Sequence, residues 1–300
     1  MSEEKAGAGR YSIFGTAFEA PPLAAGLYVV ATPIGNLRDI TIRALETLAA
    51  ADLVLCEDTR TSAKLLDHYG IRTARSPLHE HNERARIEPL LAELAQGRRI
   101  ALISDAGTPL LSDPGFPLVR AAQEAGLPIF AVPGPSALLA TLAIAGLPTD
   151  AFTFVGFLPS RHEARETALG ALALRRETLV FYESPRRLAE TLGAMARQFG
   201  GDRLAVAALE LTKRFERLHR GPLAELAAAY AAMDEVKGEA VIAVAGAMAE
   251  APSDDDWQAA LAQALATQPL RSAVDQVSEA YGIKRKEVYD AALRLKASDA

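Results

Sequence analysis

The 300-residue chain has a single cysteine, Cys56, which excludes an internal disulfide framework and a cysteine-built zinc site. It has no apolar run of the roughly 18 residues a membrane helix needs. The longest run, over 138–145, is broken by Thr141 and stopped by Gly146. Excess positive charge is also missing: 32 Lys and Arg face 38 Asp and Glu, for a net charge of −6. A basic nucleic-acid coat is thereby excluded, although a local basic groove is not. No Gly-x-x-x-x-Gly-Lys-Ser/Thr loop occurs. The only start of a Gly-x-Gly-x-x-Gly motif, Gly7-Ala-Gly9, fails at Ser12. Neither a nucleotide triphosphatase nor an ordinary dinucleotide-binding dehydrogenase is supported. The opening Met-Ser-Glu-Glu-Lys lacks a basic patch followed by an apolar core, so a secretory signal is not expected and a cytoplasmic location is.

The composition is that of a globular protein, 50% hydrophobic and 23% charged. The length corresponds to about two domains. Residues 1–26 mix Gly, Ala, Ser and Pro and read as a flexible extension. From Leu27, short apolar runs at 27–31, 52–56, 99–104 and 128–132 alternate with helical patterns at 40–50, 61–69, 82–96 and 116–126. Gly70, Gly97 and Gly126 stand at helix stops. This rhythm predicts an N-terminal α/β domain over 27–145 with a mainly parallel sheet covered on both faces. A linker over 145–150 leads to a second α/β domain over 151–246. Its strands are expected at 152–157, 178–183, 203–209 and 239–245, and its helices at 162–174, 185–199 and 222–233. The close pair 203–210 and 215–220 suggests an antiparallel hairpin in a mixed sheet. A solvated linker over 247–256 precedes a helical tail over 257–298. There the joint Tyr281-Gly-Ile-Lys284 gives a helix-turn-helix-like pattern. Lys284, Arg285 and Lys286 open its last helix, which reads equally as a nucleic-acid contact or as a solvated cap.

Ligands of open parallel sheets collect at the carboxyl ends of strands. Four such loops carry dense signals here: Thr32-Pro-Ile-Gly-Asn-Leu-Arg-Asp39, Glu57-Asp-Thr-Arg60, the long Ser104–Gly115 loop containing Ser-Asp-Ala-Gly-Thr-Pro, and Pro133-Gly-Pro-Ser136. Gly35 permits close backbone approach, and small residues at a helix start let a ligand lie against the backbone. Helix capping is the plain alternative for Asp58. In the second domain Phe181-Tyr-Glu-Ser-Pro-Arg-Arg187 places Glu183 at a strand tip, with Ser184 as a helix cap. Glu210-Leu-Thr-Lys-Arg-Phe-Glu216 puts acid, hydroxyl and bases in one turn. Arg186, Arg187 and Arg214 belong to a basic cluster that suits phosphate, though a solvated surface is the default for any one of them. His79-Glu-His81 has no matching further ligands, so no metal is expected.

These motifs, in this order, resemble the tetrapyrrole methylase superfamily, and within it the branch that modifies ribosomal RNA. Thr-Pro-Ile-Gly-Asn-Leu, Glu-Asp-Thr-Arg, Ser-Asp-Ala-Gly-Thr-Pro, Pro-Gly-Pro-Ser, Gly-Phe-Leu-Pro, Phe-Tyr-Glu-Ser and Glu-Leu-Thr-Lys all stand in register from about Leu27 to Gly246. The resemblance implies two α/β domains, a homodimer, and S-adenosylmethionine in the cleft between the domains. It further implies 2′-O-methylation of a cytidine in the decoding region of 16S rRNA, on the free RNA or the 30S subunit. By motif position the donor would be held by Pro33, Gly35, Asp105, Ala106, Gly107, Thr108, Pro133, Gly134, Pro135 and Ser136, and closed in by Tyr182, Leu211 and Glu239. Glu210 and Lys213 are the first candidates for assisting the hydroxyl, with Glu57, Asp58 and Arg60 as alternatives.

Overall fold

The computed structural model describes residues 9–248 and 254–298 and divides the chain into two compact units, 1–246 and 247–300. The first unit contains two five-stranded sheets. Its N-terminal lobe runs β1 (Arg10–Ile13), β2 (Thr16–Glu19), β3 (Gly26–Val30), α1 (Ile42–Ala50), β4 (Leu53–Cys56), α2 (Thr59–His68), β5 (Arg75–Pro77), α3 (Glu83–Ala95), β6 (Arg99–Leu102), α4 (Phe116–Glu124), β7 (Ile129–Val132) and α5 (Ala137–Ala145). The sheet order is β5-β4-β6-β3-β7, with every pairing parallel. Successive strand side chains alternate between faces. Tyr28, Val30, Val54 and Ala101 pack with α1 and α2 on one face, while Leu27, Leu55, Ile100 and Leu102 pack with α3 and α4 on the other. That double burial is why the strands read as unbroken apolar runs. β3 connects through α1 toward one edge of the sheet and β6 through α4 toward the other. Their tips therefore part at a topological switch point, where such sheets open a crevice. A backbone bridge between Thr32 and Gly107 ties the two departing loops together.

The C-terminal lobe runs β8 (Phe152–Phe157), α6 (His162–Gly170), β9 (Thr178–Glu183), α7 (Leu188–Phe199), β10 (Leu204–Leu209), β11 (Arg217–Pro222), α8 (Leu223–Ala231) and β12 (Ala240–Val244). Its order is β11-β10-β12-β9-β8, and only β8 and β9 are parallel. One face packs on α6, α7 and α8. The other presents Val180, Val206, Val241 and Ala243 to Leu138, Leu142 and Ala145 of α5. Helix α5, Ala-Leu-Leu-Ala-Thr-Leu-Ala-Ile-Ala, buries Leu138, Thr141, Leu142 and Ala145, while Leu139 and Ile144 remain exposed. Ser136 caps its start through the Leu139 N–H.

The flexible extension expected over 1–26 is corrected at Arg10–Glu19, and residues 1–8 lie outside the described residues. β1 and β2 form an antiparallel hairpin whose Tyr11 is buried against α1 and stacked on Phe18, with ring centroids 5.5 Å apart. Gly9 lies so close to the Ala49 carbonyl that a Cβ there would sit 1.9 Å from its oxygen. The absence of a side chain at Gly9 is what permits this close approach. Tyr11→Ala is expected to lower stability by about 2–4 kcal/mol in chemical denaturation, as loss of a buried aromatic does. A residue in a loose tail would change it by less than about 0.5 kcal/mol.

The second unit is a three-helix cluster, α9 (Asp254–Thr267), α10 (Leu270–Tyr281) and α11 (Arg285–Ser298). Trp257, Leu261, Val274, Val277, Val288 and Ala292 form its core. Gly282, at φ +66°, ends α10 in the left-handed conformation and sets the tight turn into α11. Part of the linker expected over 247–256, residues 249–253, lies outside the described residues.

Candidate active site

A cleft of about 380 Å³ opens where the strand tips of the two sheets meet. The N-terminal lobe supplies Ile34 after β3, Asp105–Thr108 and Leu111–Asp113 after β6, and Ala137 at the start of α5. The C-terminal lobe supplies Phe157, Tyr182–Pro185 and Gly238–Val241. Of the motif residues expected to hold a donor, Asp105, Ala106, Gly107, Thr108, Tyr182 and Glu239 line this space. The others do not line it. Pro33 is buried beside Ile34, and Leu211 is buried in the inter-lobe core. The Pro135 carbonyl accepts from Thr108 Oγ1 at 3.2 Å, which braces the lining loop. Gly134 sits against Ala31, where a Cβ would come within 3.2 Å, and Pro133 precedes it on the same turn.

At one rim Glu210, Lys213 and Glu239 form a compact charged set. Lys213 Nζ lies 2.9 Å from Glu210 Oε1 and 3.2 Å from Glu239 Oε2. Glu210 Oε1 also accepts the Glu239 N–H at 2.9 Å. Glu210 and Thr212 take the left-handed region, with φ +52° and +64°, so the turn is strained into this shape. The Lys213 stem crosses Gly35, where a Cβ would sit 2.4 Å from Lys213 Cγ. Burial works to lower the Lys213 pKa, but hydrogen bonds and charge from Glu210 and Glu239 outweigh it and hold the ammonium above its ordinary value.

Asp58 and Arg60 have a different place. Asp58 caps α2 through the Arg60 N–H at 2.7 Å and pairs with the exposed Arg60 guanidinium at 2.8 Å. That hydrogen bonding pulls the Asp58 carboxyl down to about 2. The Asp58 N–H donates to Asp105 Oδ1 at 3.0 Å, so this cap also orients a lining residue. Burial, with Asp105 nearby, raises Glu57. None of the three lines the cleft.

Among the bases, Arg186 and Arg214 are exposed, with Arg214 over the Phe215 ring at 5.4 Å. Arg187, expected among the RNA contacts, is engaged within the protein. Its guanidinium donates to the Leu158 and Pro159 carbonyls at 3.0 and 3.2 Å and lies 3.3 Å from the buried Glu183. Ser184 makes no side-chain cap; its N–H donates to Glu183, and a short 3₁₀ turn over Pro185–Arg187 precedes α7. Lys284, Arg285 and Lys286 are exposed on the second unit, where Arg285 pairs with Asp275. The His79 and His81 rings stand 5.9 Å apart, and no cluster of three or more metal-ligating side chains occurs among the described residues. No helix among them is long and apolar enough to cross a membrane.

Residues 26–227 match the family model described as tetrapyrrole (corrin/porphyrin) methylases, and residues 251–296 match the RsmI C-terminal HTH domain. Ribosomal RNA small subunit methyltransferase I of Mesorhizobium japonicum is 50% identical over 281 residues, covering 94% of this chain and 96% of that one. Its namesakes from Escherichia coli O157:H7 and Pseudomonas aeruginosa are each 46% identical over 272 residues, covering 89% of this chain and 94% and 96% of theirs. The chain belongs to the ribosomal RNA small subunit methyltransferase I family of tetrapyrrole methylases. More distant likenesses agree on the fold. The methyltransferase CobJ superposes with TM-score 0.56 at 21% identity, over 74% of this chain and 95% of that one. Uroporphyrin-III C-methyltransferase from Thermus thermophilus, solved with S-adenosylhomocysteine, gives 0.51 at 20% identity, over 73% and 97%.

In this methyltransferase the motif reading did not single out Leu111, Ser112, Asp113 and Phe157 as lining residues. Asp113 lies at the far end of the long loop. Left-handed turns at Leu110 and Ser112, φ +76° and +69°, fold that end back onto the cleft. Burial pushes the Asp113 carboxyl up to about 6 against a hydrogen bond from Ser104, and Glu57 and Asp105 add to the rise. The available sequence signal was the run of turn residues Ser-Asp-Pro-Gly at 112–115.

Proposed function

We propose that this methyltransferase uses S-adenosylmethionine to methylate the 2′-hydroxyl of a cytidine in the decoding region of 16S rRNA, in the cytoplasm, on the free RNA or the 30S subunit. The observation that carries the reading is the convergence of motif residues from both sheets on one cleft with a lysine–carboxylate set at its rim. The residues present fit the donor. Asp105, Asp113 and Glu239 offer carboxylates to a cation, and Ile34, Leu111 and Ala137 offer apolar surface to a nucleoside. Gly107, at φ +77° with its Cβ position 3.3 Å from Ile34, brings backbone to the cleft wall. When bound, the donor supplies a methyl group on a positively charged sulfur. The protein's own part is to place the hydroxyl, exclude water and receive a proton. Lys213 is held protonated, so it cannot act as the base; it can stabilise oxygen charge as the proton leaves. Glu210 Oε1 is engaged by Lys213 and the Glu239 N–H, and Oε2 has no protein partner among the described residues. Glu210 Oε2 is therefore the proposed proton acceptor.

A homodimer is supported by the apolar side chains that α5 leaves uncovered, Leu139 at 55% and Ile144 at 39% exposure, in a helix otherwise packed between lobes. Arg186, Arg214 and the Lys284–Lys286 run are the proposed RNA contacts. Calorimetry with S-adenosylmethionine tests the donor. Methyl transfer assayed on 16S rRNA, 30S subunits and a porphyrinogen, with 2′-O-methylation scored by resistance of the linkage to alkali, tests the acceptor. Transfer to the porphyrinogen alone would make this a tetrapyrrole enzyme, and donor binding without transfer a non-catalytic assembly protein. Removing 247–300 is expected to weaken RNA binding by about tenfold or more while donor affinity stays within about threefold, as loss of phosphate contacts does. Equal losses would make the second unit a structural cap.

A further inference from the structure

Strand β8 carries an irregularity that sets the geometry of the cleft mouth. Phe154 pairs with Val180, Gly156 with Phe181 and Phe157 with Tyr182, with a register shift between Phe154 and Gly156. In a regular strand, residues three apart point to opposite faces. Val180 and Tyr182 share a face, so the bulge places Phe154 and Phe157 on that face together, flanking Tyr182. The rings confirm the placement: Tyr182 to Phe154 is 4.8 Å and Tyr182 to Phe157 is 5.7 Å, both edge-on. Gly156 makes the bulge possible. Its φ is +75°, and a Cβ there would sit 2.9 Å from Ser112 Oγ. Tyr182 is engaged from across the lobes by the backbone of Leu138 at the start of α5. Phe154 and Tyr182 are half-buried, whereas Phe157 lines the cleft beside Ser112, Ser184 and Pro185 and is 58% exposed. The result is a rigid aromatic ring held open to solvent at the cleft entrance.

An exposed, braced ring needs an occupant of its own kind. A ribose hydroxyl can reach the cleft only if its nucleotide leaves the RNA stack, and the base on that ribose then loses its stacking partners within one sugar's length of the reacting oxygen. We propose that Phe157 is the stacking platform for the base of the methylated nucleotide, which the bulge at Gly156 aims for that purpose. Pro185 borders the same opening, and Arg186, next in sequence and exposed, stands ready for the adjoining phosphate. Stacking accepts any base. Phe157 therefore contributes affinity and placement rather than the choice of cytosine. The inference rests on the RNA-methylating reading above.

The test uses the full chain with Phe157→Ala, Phe157→Leu and Phe157→Tyr. S-adenosylhomocysteine affinity is read by calorimetry, methylation kinetics on 30S subunits and 16S rRNA, and oligomeric state by light scattering. Alanine is expected to lower kcat/KM for RNA by about ten- to a hundredfold, mainly through KM, as loss of one stacked base does. Leucine, which keeps apolar bulk and guards against a folding defect, should lose nearly as much, and tyrosine should recover to within about threefold. Binding of S-adenosylhomocysteine should stay within about threefold. An equal loss of that binding would make Phe157 a wall of the donor site. A change of oligomeric state would make it a subunit contact. RNA kinetics unchanged in all three variants would also overturn the proposal. Wild-type protein that methylates neither RNA substrate defeats the functional reading itself. Active wild type with unaffected variants defeats only this inference.

Discussion

Lys213→Ala is expected to slow single-turnover methyl transfer by about a hundred- to a thousandfold while donor affinity changes by less than about threefold, the pattern of losing a charge that acts mainly on the transition state. The geometry is specific enough to separate this from a folding defect. Lys213 bridges Glu210 and Glu239, so its removal leaves two carboxylates facing each other across the rim, and a fall of a few degrees in melting temperature is expected as well. Glu210→Gln keeps an oxygen for the Lys213 ammonium but removes the proton acceptor, so it should lose rate with little change in melting. Gly35→Ala changes no titratable group, yet its new Cβ would displace the Lys213 stem. It should reproduce part of the Lys213→Ala defect. If Lys213→Ala and Glu210→Gln both transfer methyl groups within about threefold of the wild-type rate, the set is a clamp between loops and the acceptor lies elsewhere.

The parallel sheet could be read from the chain because its inner strands are buried on both faces and so stand out as apolar runs closed by glycines. The hairpin over Arg10–Glu19 could not, because alternation over four residues is a weaker signal than the Gly and Ala around it, and its order comes from Tyr11 packing on α1. β5, Arg75–Pro77, was missed for a related reason: as an edge strand it needs backbone pairing to β4 rather than apolar side chains. Asp105, Gly107, Tyr182 and Glu239 were legible because loops after strands must gather at one end of each sheet. Asp58 stood as an alternative candidate because a helix cap uses the same residue types as a polar site. Phe157 and Asp113 depend on a bulge and on two left-handed turns, and side-chain period alone does not encode either.

Asp113→Asn should make the free protein more stable at neutral pH and a worse binder of a cationic donor. Burial holds the Asp113 carboxyl at about 6 in the fold, against 3.8 for an ordinary aspartate. Because the folded value is the higher one, the folded state keeps a proton that the unfolded chain releases, and stability drains away as pH rises through this interval. Below about pH 3 the group is protonated in both states and the substitution should be neutral. Above about pH 6 the full cost is present; for a group still partly open to water it is about 1–2 kcal/mol. The variant should therefore melt a few degrees higher at about pH 8 and no higher at about pH 3. On the proposed reading, a sulfonium bound beside Asp113 offsets this cost. Donor affinity should accordingly fall as the medium is acidified through about pH 6, where the carboxylate takes up its proton. In the Asn variant that dependence should flatten, with affinity at neutral pH lower by about five- to fiftyfold. S-adenosylhomocysteine, whose sulfur is uncharged, should show a weaker version of both effects. An Asn variant that binds the sulfonium as tightly as wild type, with the same response to acid, would mean that Asp113 is buried for the loop's own folding and takes no part in holding the donor.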